Sequence, residues 1–454
     1  MKVISPGYLR ERYQNLHPRT KKAQLNTIQG LLIKGGGMLI SLLLVPMTID
    51  YLSKDTYGTW LTISSIITML MFLDIGIGNG LRNKFSEAVA RQDTLLARTY
   101  VSTAYAIFGI VQLCMVCIFF IVYRYIPWQR LFNTNIDTIQ LQTVIMLTVV
   151  GMVIKLVLDI LSYILLALQE SGRVSLLNFL TNVLVLTGTY TLTRFTSGNL
   201  IYLAIISAVS PTIVLLISGF ILYRGRLKAY RPTFRLINMN YAGNLLSLGY
   251  KFFIIQIAVL ILFYTDNLII TQLFGPSEVT TYNIAFRYFN TISTIFAIAV
   301  TPYWSAFTEA SVKSDTFWME RTFGHLQKIW LVLVVAVVLM VIVANLAYAL
   351  WIGNRVVIPY LLNVCMGLFI VISCWNSIMT SIVNGLGKIR LQLYYALFAA
   401  IINVPLAIFL GRTLHIGSAG VILATSISLL IGTIFGTIQA RKIIFGTATG
   451  IWNR

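Results

Sequence analysis

Residues 28–50 read IQGLLIKGGGMLISLLLVPMTID, a predominantly apolar run holding one lysine, three consecutive glycines and one proline. As a helix rising about 1.5 Å per residue, such a run is long enough to cross roughly 30 Å of hydrocarbon. Comparable runs recur near 57–79, 99–122, 139–167, 174–194, 200–223, 246–274, 281–306, 328–350, 359–384, 391–411 and 418–440. Hydrophobic residues make up 57% of the chain and charged residues 11%, with a mean hydropathy of +0.82, which rules out a soluble globular protein. The ten-residue alternating strands of a membrane barrel are absent from this pattern. The expected fold is all-α, a polytopic membrane protein of about twelve transmembrane helices. The short connecting loops leave no room for a nucleotide-binding or extramembrane catalytic domain.

The formal charge of +20 invites a nucleic-acid reading, but the placement of the charges decides against it. Segments on one side of the spans, including those around Arg82, Arg98, Arg173, Arg224–Arg235, Lys313–Lys328 and Lys388, hold 24 of the 34 Lys and Arg residues. The opposite side holds six: Lys54, Arg124, Arg130, Arg194, Arg355 and Arg412. Under the positive-inside rule, the rich side and both termini are cytoplasmic. Cys114 and Cys117, with Cys365 and Cys374, lie in apolar runs and read as packing residues, and no chemistry is assigned to the three histidines. The first apolar run is too long and begins too late for a cleavable signal.

The two halves of the chain echo each other. Phe85-Ser86-Glu87-Ala88 recurs as Phe307-Thr308-Glu309-Ala310, Gly172-Arg173 as Gly387-Lys388, and Ser197-Gly198-Asn199-Leu200 as Ser418-Ala419-Gly420-Val421. A shared offset near half the chain length marks a duplicated six-helix unit. The expected organisation is a basic N-terminal segment (1–27), an N-lobe (28–223), a linker (224–245), a C-lobe (246–440) and a tail (441–454). Two such pseudo-symmetric lobes, related by an axis along the membrane normal, leave a natural cavity between them.

Four cations lie within spans: Lys34, Lys155, Lys251 and Arg287. A Lys or Arg at a helix centre costs about 2.5–3.5 kcal/mol on insertion scales, so retained ones point to a wet interior that receives an anion. Lys34 and Lys251 occupy matching repeat positions, yet both are shallow enough to snorkel to the headgroups. Lys155 has Asp159 one turn later, so anion contact and a structural ion pair both stand. Arg287, within two turns of one end of its span, offers a planar fork suited to phosphate oxygens. Asp74 and Asp266 have no cation one turn away; together with Asp159 they are candidates for ion coupling or a gate, with packing between helices the plainer reading. Gly35, Gly36 and Gly37 read either as a hinge or as a site of close helix packing.

Several stretches resemble the Wzx-type lipid-linked oligosaccharide flippases of the multidrug/oligosaccharidyl-lipid/polysaccharide exporter superfamily. They are Leu52-Ser-Lys-Asp55-Thr-Tyr57-Gly58-Thr-Trp60, and Leu73-Asp74-Ile-Gly76-Ile-Gly78-Asn-Gly80-Leu-Arg82. In the second half they are Asp266-Asn267 through Gly275-Pro276-Ser-Glu278, Tyr282-Asn-Ile-Ala-Phe-Arg287, and Leu386-Gly387-Lys388. The resemblance implies two six-helix lobes in a V around a charged cavity. It also implies transport of an undecaprenyl-pyrophosphate-linked oligosaccharide across a bacterial inner membrane by alternating access, with no cofactor. The lipid bilayer and the lipid-linked substrate are the implied partners, while proton or sodium coupling and contact with polysaccharide polymerase machinery stay open. A multidrug or cation antiporter of the same superfamily remains an alternative, as does a polytopic polymerase or glycosyltransferase. The longest outer loop, residues 123–138, contains only Asp137 as an acid, which disfavours the latter. No phosphate-binding loop or metalloprotease motif is present, so an enzyme is not expected.

Overall fold

The computed structural model describes residues 18–71, 77–168, 170–243, 257, 260–353, 355–388 and 390–453. Nine helices among these residues are long and apolar enough to cross a membrane. The N-lobe comprises α1 (Pro18–Tyr51), α2 (Lys54–Met71), α3 (Ile77–Ala90), α4 (Thr94–Val122), the short α5 (Trp128–Leu131), α6 (Thr138–Leu158), α7 (Ile160–Ala167), α8 (Ser171–Phe195) and α9 (Leu200–Arg224). The C-lobe comprises α10 (Asp266–Phe274), α11 (Pro276–Val312), α12 (Thr316–Ile352), α13 (Tyr360–Gly385), α14 (Arg390–Ile408) and α15 (Ser418–Ile444).

Side-chain caps start several of these helices. Asp93 accepts from the Leu96 amide at 2.8 Å, Asp137 from the amides of Ile139 and Gln140, Asn199 from Ile201 and Asp315 from Trp318. The fourth span breaks at Asp159, which takes the Ser162 hydroxyl at 2.6 Å and separates α6 from α7.

Three expected spans are not among the nine. Residues 246–256 and 258–259 of the seventh, and 72–76 of the second, lie outside the described residues. The eighth, α11, has ample length at 37 residues but is rich in Thr, Asn and Ser. Its polarity has a physical reason, because this helix lines the space between the lobes.

Boundaries also move. Helix α1 begins at Pro18 rather than near 28, and α15 continues to Ile444, after which Trp452 folds back to stack on Phe435 and under Lys442. The linker is not a loose strap. Arg98 Nε donates to the Arg231 carbonyl and the Thr233 amide donates to Ser102 Oγ, while Tyr230 and Tyr241 pack edge-on against Phe85 and Tyr100.

The apolar core shows how the lobes meet. One cluster fills the C-lobe and extends into the N-lobe through Val45, Ile49, Tyr57, Leu61, Ile63, Leu141, Val144 and Leu203, all in the half of the bundle away from the basic face. The N-lobe half nearer the basic face has a separate cluster that includes Ile77, Phe85, Val101, Ile160, Ile164 and Leu215. The lobes therefore share a core at one face and part at the other. Hydrogen bonds follow the same division. Thr62 and Thr271 hydroxyls meet at 2.6 Å, Thr280 Oγ1 donates to the Lys54 carbonyl at 2.8 Å, and Gln272 Nε2 donates to the Arg130 and Leu131 carbonyls. Arg355 pairs with Asp50, and Trp351 Nε1 donates to the Leu42 carbonyl. Gly58 lies so close to the Pro276 carbonyl oxygen that a Cβ there would come within 1.7 Å of it.

Candidate functional site

Where the lobes part, a cavity of about 370 Å³ lies between α1 and α8 of the N-lobe and α11 of the C-lobe. Lys34 and Arg287, one from each lobe, both border it. Helix α8 adds Ser175, Asn178 and Asn182, and α11 adds Asn290, Thr291 and Thr294.

Arg287 lies farther from the start of its helix than the expected span of 281–306 implied. Gly275, with φ of 89°, ends α10, and Pro276 starts α11 at once. The polar Ser277-Glu278 pair is helical rather than loop, so Arg287 lies about three turns, roughly 16 Å, from its helix start. There Nη1 donates to both the Ser41 carbonyl and Ser41 Oγ at 3.1 Å. Ser41 is seven residues, about 10 Å, along α1 from Lys34, so Arg287 marks the apex of the crevice and Lys34 lies toward its mouth. Lys34 is exposed and Arg287 half-buried. Among the described residues neither has a carboxylate partner, and Arg287 Nε and Nη2 donate to none of them.

The remaining candidates are elsewhere. Lys155 Nζ pairs with Asp159 at 3.6 Å and borders a separate N-lobe cavity of about 240 Å³ with Trp60, Ser64, Thr68 and Thr181. Asp266, buried at the start of α10, accepts from Tyr282 OH at 2.6 Å and from Thr425 Oγ1 at 3.4 Å. It borders a cavity of about 130 Å³ beside a polar chain in which Asn283 donates to Asn267 and Asn267 donates to Ser65. Its missing partner is thus a pair of hydroxyls from two other helices. Lys251 and Asp74 lie outside the described residues.

Helix α1 runs unbroken through the three glycines. A Cβ on Gly36 would come within 2.9 Å of Phe179 Cε2, one on Gly37 within 3.6 Å of Asn182 Nδ2, and one on Gly35 would meet nothing within 4 Å. Close approach to α8 therefore accounts for Gly36, which brings the amides of α8 up to the cavity. Those amides escaped the sequence reading. Asn178 and Asn182 are one turn apart on α8, and Asn290 and Thr294 repeat the spacing on α11; such pairs mark a wet helix face.

The polysaccharide biosynthesis protein family matches residues 25–308, more than half of the chain. No curated protein matches significantly. Among solved structures, the inward-facing conformation of a multidrug resistance MATE family transporter of the MOP superfamily superposes with a TM-score of 0.74 at 15% identity, covering 93% of this chain and 98% of that one. The outward-facing conformation of a MATE family transporter of that superfamily gives 0.66 at 14% identity, covering 93% and 96%. The lipid II flippase MurJ in an inward closed conformation gives 0.71 at 14% identity, covering 93% and 94%. The fold of the chain is like that of these solved transporters, as the resemblance read from the sequence implied.

Proposed function

The chain belongs to the polysaccharide biosynthesis protein family, and from that premise we propose that it is a membrane carrier for a pyrophosphate-linked oligosaccharide lipid. It moves this cargo from the cytoplasmic to the periplasmic leaflet of a bacterial inner membrane by alternating access. The observation that carries the reading is the pairing of Lys34 and Arg287, from separate lobes, across one crevice without carboxylate partners among the described residues. Cations so held are satisfied by an anion that enters the crevice.

With both termini cytoplasmic, the basic face is the inner one and the crevice opens inward. Lys34 near the mouth captures the pyrophosphate, and Arg287 receives it at the apex with the guanidinium hydrogens that Ser41 does not use. Asn178, Asn182, Asn290 and Thr294 keep the head hydrated, while the prenyl tail stays in lipid. Release outward requires the contacts around Gly58, Thr62 and Asp50 to part. A pyrophosphate diester carries about two negative charges, and an inside-negative potential favours its outward movement by about 2.3 kcal/mol per charge per 100 mV. Coupling to an ion through Asp266 is a further part of the proposal. A cationic drug as cargo would want carboxylates in the crevice, and its described lining has two cations and none.

Rescue of export in a strain lacking its own flippase, supplied with a defined lipid-linked oligosaccharide, tests the proposal. The wild-type chain restores surface polysaccharide, and Lys34→Ala combined with Arg287→Ala abolishes it at unchanged protein level. Full rescue by the double variant would overturn the capture role.

A further inference from the structure

The linker that follows α9 has two faces. Residues 225–243 fold through three single 3₁₀ turns, Lys228–Tyr230, Phe234–Leu236 and Met239–Tyr241. Leu227, Tyr230 and Tyr241 pack into the N-lobe core. Lys228, Arg231, Arg235 and Met239 are exposed instead, and with them Phe234, which is 93% exposed. The stretch 224–245 contains no acid. Glu170 is engaged by Arg173 and Arg226, and among the described residues Lys228, Arg231 and Arg235 have no carboxylate partner.

Helix α4 sets the depth of this surface. It is uncharged from Thr99 to its end at Val122. About 20 helical residues span the hydrocarbon, so counting back from Val122 puts the boundary on the basic side near Thr103. The linker is bonded at that level. The Asn238 amide donates to Thr103 Oγ1 at 3.1 Å, and the Arg231 carbonyl accepts from Arg98 Nε, five residues nearer the helix start. The strap therefore lies beside α4 rather than beyond it, at the depth of the lipid headgroups. Phe220 and Ile221, exposed near the end of α9, extend the apolar surface to its edge. An exposed ring among cations at this depth is stabilised by entering an anionic interface, the ring through its apolar area and the cations through the headgroup phosphates.

We propose that the linker is a docking surface for anionic phospholipids in the leaflet that borders the basic face. Lys228, Arg231 and Arg235 meet the phosphates, and Phe234 inserts among the upper ends of the acyl chains. An acidic protein would match the cations but would leave Phe234 and Met239 without a reason to lie at the hydrocarbon boundary. The proposal goes beyond the carrier reading and requires no cargo.

The test uses the purified full chain in nanodiscs of equal parts phosphatidylglycerol and phosphatidylcholine, with native mass spectrometry reading the ratio of the two lipids retained. The wild type is compared with a linker variant, Lys228→Gln with Arg231→Gln and Arg235→Gln. A control, Arg321→Gln with Lys328→Gln and Arg390→Gln, removes three exposed cations of the basic face outside the linker. Each cation near an anionic surface contributes a factor of about five. The linker variant should lower the preference for phosphatidylglycerol at least about tenfold, and the control less than about twofold. Arg231→Lys with Arg235→Lys, which keeps the charge, should retain the preference. A nitroxide on Met239→Cys, with the exposed Cys114 and Cys117 replaced by alanine, reads depth. Collisions with oxygen should exceed those with an aqueous nickel chelate, and Phe234→Ser should reverse the order. No preference for phosphatidylglycerol in the wild type, equal losses in the linker and control variants, or free access of the chelate to position 239 would overturn the proposal. Export in the strain lacking its own flippase decides the carrier reading separately.

Discussion

Replacing Gly58 by alanine should pry the lobes apart at the face where they are closed. The added Cβ would lie 1.7 Å from the Pro276 carbonyl oxygen, about half of an ordinary contact distance. That oxygen belongs to the backbone at the start of α11, so no rotamer change relieves the clash, and the lobes must separate by an ångström or more. Overpacking of this kind costs about 1–3 kcal/mol. The separation also strains the Thr62 to Thr271 and Thr280 to Lys54 hydrogen bonds beside it, each contributing about 0.5–1.5 kcal/mol. The closed arrangement thus loses about 2–6 kcal/mol relative to the open one, a shift of roughly 30-fold or more in their ratio. Spin labels at Ile139 and Val357, exposed on that face in the N-lobe and C-lobe, report the distance between lobes. The variant should move the distribution to longer distances while remaining folded. An unchanged distribution in a folded variant would refute the idea that this contact sets the lobe arrangement.

The Asp50 to Arg355 ion pair closes the same face. Both side chains are substantially exposed, so Asp50→Asn should weaken closure by only about 0.2–1 kcal/mol, and exchanging the two residues should restore the wild-type distance distribution. The Lys155 to Asp159 pair is about one quarter exposed. Lys155→Met alone should lower thermal stability by an amount between the exposed-pair value and the about 3–5 kcal/mol of a fully buried pair. Lys155→Met with Asp159→Asn should recover most of it, and failure to recover would give Lys155 a role beyond neutralising Asp159. Gly35→Ala meets open space and should stabilise the helix by about 0.5–1 kcal/mol without loss of export. Gly36→Leu, driven into Phe179, should impair it. Loss of export in both variants would favour a hinge over close packing.

The spans were legible because an apolar run of bilayer length has few alternatives, and the limits of α9, of α13 and of α6 and α7 taken together fall within a residue of those expected. Arg287 was legible as a cation where water is scarce. Its distance from the helix start was not, because Ser277 and Glu278 look like loop residues until Pro276 is seen to begin a helix. That Arg287 and Lys34 share one cavity depends on how the two lobes dock, and hydropathy carries no record of this. Lys155 stood with Lys34 among the candidate anion contacts, and only the packing of α2, α6, α8 and α9 assigns it to a different cavity.

The central claim is that Lys34 and Arg287 together bind the phosphates of a lipid. Its most direct test is calorimetric titration of the nanodisc-embedded protein with a short-chain polyprenyl pyrophosphate, comparing wild type with Lys34→Met, Arg287→Gln and the double variant. Each charge-assisted contact contributes about 1.5–3 kcal/mol, so each single variant should bind about ten- to 100-fold more weakly, and the double variant should show no saturable binding. Wild-type affinity in the double variant would contradict the account.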